Sequence, residues 1–177
     1  MKMKYTITTF TLILSLLTAT SFAQTNMKEY KAGHVFYVSL PDYMSKTTGL
    51  NDAAVIQFKN TVKDVAGFII EDNKEELALA QMTFSSIDEF YDNFIKGFLE
   101  NQKKRNITQP VSKTIGDVKF VECDASYYDE DSKMDLYYFV GIVETKDCYY
   151  KLLCYGALES KEKFKGDFQK ILYSIKD

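Results

Sequence analysis

Tryptophan is absent from this 177-residue chain, histidine occurs once, proline twice and cysteine three times. Each scarcity excludes something. One His and three scattered Cys leave too few soft ligands for a typical structural zinc site, so no metal centre is expected. Two prolines and eight glycines exclude collagenous, Pro-rich and low-complexity chains. Basic surplus is missing as well: 22 Lys+Arg stand against 25 Asp+Glu, a formal net charge of −3. A nucleic-acid binder needs a basic face to displace counterions from phosphates, so that class of partner is excluded. What remains is ordinary globular composition, 46% hydrophobic and 27% charged.

The first 23 residues read as a processing segment. Lys2 and Lys4 form a short positive region, and an apolar, Thr-rich stretch runs from Tyr5 to Thr20 around Leu12, Ile13, Leu14, Leu16 and Leu17. Ser21-Phe22-Ala23 then places small residues where a signal peptidase requires them. The competing transmembrane anchor is disfavoured, because the stretch is short for a span of about 20 apolar residues. No Cys follows for lipid attachment, and no later segment reaches spanning length. Cleavage before Gln24 makes residues 24–177 one mature domain, secreted across the inner membrane to the periplasm or the exterior. Lys2 and Lys4 leave with the leader, so the mature chain is more acidic than the whole.

Three thiols in an oxidising compartment invite a disulfide. Cys148 and Cys154 lie on one expected strand, about 20 Å apart at roughly 3.3 Å per residue, whereas a bridge needs Cα atoms about 4.4–6.8 Å apart. Cys123 is expected two strands over, about 9–10 Å away. Three buried free thiols follow, with one Cys123 bridge plus an odd thiol as the competing state.

Along the mature chain, His34–Leu40 alternates and is β-rich, and Pro41-Asp42 stops it. Residues Ala53–Asn60 and Val65–Glu71 read as a hairpin around Lys63-Asp64. Asn73–Met82 is helix-prone by propensity. Ser86-Ile87-Asp88-Glu89 is a capping-box pattern, and Ile87, Phe90, Tyr91, Phe94, Ile95, Phe98 and Leu99 then repeat at helical spacing on one apolar face. Lys103, Lys104 and Arg105 would complement the negative end of that helix. From Ile107 the period returns to two: Ile107–Lys113, Asp117–Tyr127, Lys133–Glu144 and Cys148–Ala157 are expected as successive antiparallel strands. Ser160 is placed to cap a last helix with Phe164, Phe168, Ile171, Leu172 and Ile175 turned inward. Amphipathic helices alternating with runs of strands make an α+β fold, an antiparallel β-sheet with helices packed on it.

Several of these residues resemble PsbP-like proteins: Phe36-x-Val38-x-Leu40-Pro41-x-Tyr43, the Ala54–Phe58 and Gly67–Ile70 strand pair, the mid-chain helix and the final hairpin plus helix. The resemblance spans most of residues 34–176 and implies an α/β/α sandwich. That superfamily includes a photosystem extrinsic subunit, a eukaryotic Ran-binding factor and bacterial chaperone-like modules. It therefore implies a non-catalytic, protein-binding character. Its motifs are short and apolar, and no set of functional residues carries over to positions of this sequence.

Catalytic patterns are scarce. His34 has no nucleophile elbow around it, and G-x-S-x-G occurs nowhere. The acidic run Asp129–Asp135 fails as a calcium loop, because Lys133, Met134 and Val140 occupy the positions that need oxygen, glycine and glutamate. It reads as a solvated hairpin tip. Glu122 and Asp124 would share one face of a strand, yet no signal places them in a cleft. Lys161, Lys163 and Lys165, like Lys103–Arg105, read as solvated helix faces and ends. Asn106-Ile107-Thr108 matches a glycosylation sequon that carries no weight behind a short bacterial-type leader.

Aromatic content is the unusual surplus: thirteen Tyr and thirteen Phe make 15% of the chain. Tyr127-Tyr128, Tyr137-Tyr138 and Tyr149-Tyr150 fall on neighbouring strands, and adjacent strand residues face opposite sides. One ring of each pair would face the helices. The other would form an amphipathic platform wherever the second face lies open, or simply fill a core that lacks Trp. The expectation is a secreted or periplasmic accessory module, not an enzyme and without a cofactor, whose partner is another envelope or secreted protein. The alternative is a carrier of a small apolar ligand or lipid, held between the sheet and the 87–99 helix.

Overall fold

In the computed structural model the described residues are 25–33 and 36–177. The expected leader and His34 lie outside them. Strands β1 (Met27–Ala32) and β2 (Phe36–Pro41) form a two-stranded antiparallel sheet of their own. Only β2 was expected. Lys28, Glu29 and Lys31 in β1 interrupt the apolar alternation, because this strand lies over the core with one side to water.

The main sheet contains β3 (Ser45–Thr47), β4 (Ala54–Asn60), β5 (Val65–Asn73), β6 (Lys103–Ile107), β7 (Val111–Ile115), β8 (Val118–Asp129), β9 (Met134–Glu144) and β10 (Cys148–Ala157). Its order is β3-β4-β5-β10-β9-β8-β6, with β7 pairing β8 beyond the end of β6. Expected hairpins and long strands appear close to their expected limits. One expected strand does not: Ile107–Lys113 is two strands, because Pro110 has no N–H to donate and breaks the ladder.

Helix α1 (Lys74–Leu79) is capped by Asn73, whose side chain accepts from the N–H groups of Glu75 and Glu76. Helix α2 (Ile87–Gly97) starts at Ser86, whose Oγ accepts from Glu89 N–H, while Glu89 accepts in turn from the Ser85 N–H. It ends two residues before Leu99. Lys103–Arg105 are strand residues of β6 and not the helix end. The expected charge–dipole match survives through Arg105 alone, which reaches back to the carbonyls of Phe98 and Ile95 at 2.8 and 2.7 Å. Helix α3 (Lys161–Leu172) follows a 3-10 turn at Leu158–Ser160. That turn takes Ser160 into helical backbone geometry, and its side chain makes no capping bond.

Alternation divides the sheet into two faces. On one, Phe120, Phe139, Val143, Leu152 and Cys154 meet Phe164, Phe168, Ile171 and Leu172 of α3, with Phe36, Val38 and Leu40 of the β1–β2 hairpin beside them. Ile175 beyond the helix is also buried there. Gly141 makes the close approach of α3 feasible, since a β-carbon at that position would overlap the Leu172 side chain. On the other face, Val121, Cys123, Val140, Ile142 and Leu153 meet Ile87, Phe90 and Tyr91 of α2. The fold is an α+β sandwich with helices on both sides of an antiparallel sheet. Cys123, Cys148 and Cys154 are buried free thiols, and β9 separates the strand of Cys123 from that of the other two.

Candidate functional site

Glu122 and Asp124 point to the α3 side of β8 and are buried there. Asp124 accepts from Tyr137 OH at 2.8 Å and Lys165 Nζ at 2.7 Å, and Lys161 Nζ stands 2.8 Å away. Burial works to raise the Asp124 carboxyl, but the bonds from Lys161, Lys165 and Tyr137 outweigh it and hold the group below the ordinary carboxylate range. Glu122 accepts from Gln169 Nε2 at 2.6 Å and Tyr173 OH at 2.8 Å. Lys161 and Lys165 are therefore interface residues that fasten α3 to β8, not members of a solvated helix face. Asp167, on another side of α3, repeats the arrangement, accepting from Tyr43 OH at 2.9 Å, Thr25 Oγ1 at 3.0 Å and Lys170 Nζ at 2.9 Å. These carboxylates have their oxygens taken up by fixed donors, an arrangement suited to holding layers together.

The six meander tyrosines divide between the faces as alternation requires. Tyr137 and Tyr150 are buried on the α3 side. Burial and Asp124 push the Tyr137 phenol far up, and the Tyr150 ring packs 4.6 Å from that of Phe36. Tyr149 is buried on the α2 side, stacked on Phe90 at 4.2 Å with 8° between the planes. These three rings are core. Tyr127, Tyr128 and Tyr138 are half-buried. Lys104 Nζ lies 4.7 Å above the ring of Tyr128.

Tyr127 and Tyr138 belong to a larger group that the dipeptide pattern did not disclose. Tyr138 of β9 lies directly opposite Tyr155 of β10, and their ring centres are 5.1 Å apart. Phe98, just past α2, meets Tyr138 edge-on at 5.3 Å, and Phe94 meets Phe98 at 5.2 Å. Tyr127 completes the strip at 6.3 Å from Tyr138. The signal for Tyr155 was present: it shares parity with Tyr149 on the same strand and so must share its face. Phe98 was legible as part of the apolar helical face, but not as a ring left over after the helix ends. An 11-residue helix covers about 16 Å at 1.5 Å per residue, which is too short for the full length of β8–β10. The Tyr127–Tyr138–Tyr155–Phe98 strip is the remainder, half-buried, with Phe98, Tyr138 and Tyr155 packed against the α2 core and Tyr127 joined to it through Tyr138.

Space between α2 and the sheet is occupied by rings. Phe84 stands edge-on to both Phe90 and Tyr149, and the cleft beside them, bounded by Lys74, Leu77 and Met82, is about 120 Å³. A drug-sized ligand pocket is about 300–1,000 Å³, and this cleft is smaller than that. A larger cleft of about 300 Å³ lies at the end of the strip, where Tyr155 and Leu136 face Lys59 and Asp64 across the β4–β5 turn. Among the described residues no cluster of three or more His, Cys, Asp or Glu has metal-binding geometry, and no helix is long and apolar enough to cross a membrane.

No protein-family profile matches the sequence, and no curated protein matches it. Solved structures do. The solution structure of cyanobacterial PsbP (CyanoP) from Synechocystis sp. PCC 6803 superposes with a TM-score of 0.63 at 9% identity, over 92% of this chain and 98% of that one. The crystal structure of LpqN, involved in cell envelope biogenesis of Mycobacterium tuberculosis, gives 0.57 at 10% identity, over 87% and 92%. At such identities the likeness lies in backbone and layering alone, and on that ground the chain has the PsbP-like fold.

Proposed function

We propose that this protein is a non-catalytic accessory module that acts outside the cytoplasm and binds another envelope or secreted protein through the Tyr127–Tyr138–Tyr155–Phe98 strip. The strip is the observation that carries the reading. Tyrosine suits such a role because its ring buries a large area while its hydroxyl keeps a polar end, and interface hot spots are enriched in it. The reading gains support from the leader pattern at residues 1–23, from neighbours of the same fold that include a protein of cell envelope biogenesis, and from carboxylates committed to holding α3 rather than to a reacting group. Fold does not fix function, so the surface decides.

The test is an affinity capture from the envelope fraction with the tagged mature chain, run beside a Tyr127→Ser/Tyr155→Ser double variant. Both rings are half-buried, so the variant is expected to fold and to lose the captured protein. Equal capture by both forms would overturn the assignment to this strip, and absence of any specific capture by the wild type would remove the reading itself.

A further inference from the structure

Strand β7 leaves one edge of the main sheet open. Among the described residues it pairs β8 alone, with Val111 opposite Glu122, Lys113 opposite Phe120 and Ile115 opposite Val118. In an antiparallel pair each strand spends the N–H and C=O of every second residue on its neighbour. The alternate residues of β7 therefore direct theirs outward. All five residues are exposed, Val111 at 59% and Ile115 at 45%. An edge of this kind templates pairing with another chain unless it is blunted. Lys113 is the residue placed to blunt it, but its Nζ lies 4.4 Å over the ring of Tyr173, on the α3 side of the sheet.

Charge along this edge is segregated. Residues 101–116 contain Lys103, Lys104, Arg105 and Lys113 and no acidic residue, in a chain whose net charge is −3. Lys103 pairs with Glu130, and Arg105 is bound to the end of α2. Lys104 and Lys113 lie over Tyr128 and Tyr173, and neither has a carboxylate partner among the described residues. Next to Ile115, a cleft of about 340 Å³ opens between β8 and the end of α3; Val118, Phe120, Tyr173 and Ile175 line its Ile115 side, with the Glu29–Lys176 ion pair and two serines completing it.

We propose that β7 accepts an extended segment of a partner protein as an added antiparallel strand, with an acidic residue opposite Lys113 and apolar residues two positions to either side, opposite Val111 and Ile115. Backbone pairing supplies the attachment and the side-chain alternation supplies the selection. Val111, Lys113 and Ile115 share one face, so the matching pattern is apolar–x–acidic–x–apolar. The apolar residue nearest Ile115 reaches the mouth of the cleft. A second copy of the chain fits less well: antiparallel pairing of two β7 strands about their centre sets Lys113 against Lys113, and like charges directly opposite are unfavourable. The edge lies apart from the aromatic strip, and the inference does not depend on it.

The probe is a fluorescein-labelled heptapeptide, threonine–valine–threonine–glutamate–threonine–valine–threonine, blocked at both ends and titrated with the mature protein at low salt. Anisotropy is read for binding and amide exchange for residues 111–115. The expected result is saturable binding with added protection confined to those amides. K113E should weaken it by about three- to tenfold, and a peptide with lysine in place of glutamate should regain affinity for K113E. N-methylation of alternate peptide nitrogens, which removes the pairing donors and leaves the charge, should abolish binding. Three results would each overturn the proposal: no saturation up to about 1 mM, equal binding of the N-methylated peptide, or a protein dimer that already protects the β7 amides.

Discussion

The two faces of the main sheet are built from the same strands but closed in different ways. On the α3 face a 12-residue helix, a hairpin and the chain end together bury Tyr137, Tyr150, Phe139 and Phe168, and a network around Asp124, Glu122 and Asp167 fixes the helix. On the α2 face an 11-residue helix covers Val121, Cys123 and Leu153, then stops, leaving Tyr127, Tyr138 and Tyr155 half-covered. The two helices differ by one residue, so the added cover of the β1–β2 hairpin and of Ile175, not helix length, decides whether an aromatic-rich strand ends as core or as surface. Residue type does not, because both faces carry tyrosine.

Truncating an equivalent ring on each face should break the symmetry most visibly. Phe168→Ala, at a site 1% exposed, should cost about 3–5 kcal/mol of unfolding free energy. Phe94→Ala, on the half-covered side, should cost about 1 kcal/mol. Equal losses in denaturant titrations would mean that the α2 face is packed as firmly as the other and that the strip is ordinary core.

Acid should act on the α3 face through Asp124 and Asp167. Burial tends to raise the Asp124 and Asp167 carboxyls, but their hydrogen bonds hold both below the ordinary value in the folded protein. A depressed folded pKa contributes stability that is fully present above the unfolded value of about 3.9 and is lost as pH falls through the lower folded value. Stability should therefore drop below about pH 4. Asp124→Asn should cost about 1–2 kcal/mol at pH 7 and should flatten part of that acid limb. An unchanged limb in the variant would show that the Lys161–Asp124–Lys165 group contributes nothing to folding.

Tyr127→Ser/Tyr155→Ser should cost about 2 kcal/mol, about 1 for each half-covered ring, while removing partner capture. A large loss of stability would place the strip with the core. The least effect is expected at the thiols. Burial pushes Cys154 well above the ordinary thiol value and Cys148 up to about 11. Folded protein at pH 8 should therefore react slowly with a disulfide reagent, and unfolded, unreduced protein should show three thiols. A count of one would require a bridge that the strand order β10-β9-β8 opposes.

Legibility in the sequence followed the range of the interaction concerned. Ile87 to Leu99 announced α2 through its spacing, and Ser86-Ile87-Asp88-Glu89 announced its start, because both signals act within one or two turns. The long strands were legible for the same reason, as period-two runs closed by turn residues. β1 was not, since Lys28, Glu29 and Lys31 obscure an alternation that matters on one side only. Lys103–Arg105 looked like a helix end because they follow an apolar helical face, yet Leu99 takes up left-handed backbone at φ 58° and turns the chain into β6. The candidate site was half legible. Parity showed that each Tyr pair must split between faces, but not which face would be left uncovered.

The sequence by itself determined the α+β class, the antiparallel meander, the two amphipathic helices and the inward set Phe164, Phe168, Ile171, Leu172 and Ile175. All of these are encoded in the periodicity of neighbouring residues. Tertiary structure alone decided that Lys161 and Lys165 would be drawn onto Asp124, that Tyr137, Tyr149 and Tyr150 would be buried while Tyr127, Tyr138 and Tyr155 stay half-open, and that β7 would pair β8 alone among the described residues. Those outcomes depend on how far one layer extends over another, a length set by strands and helices that are distant in the chain and that no local pattern records.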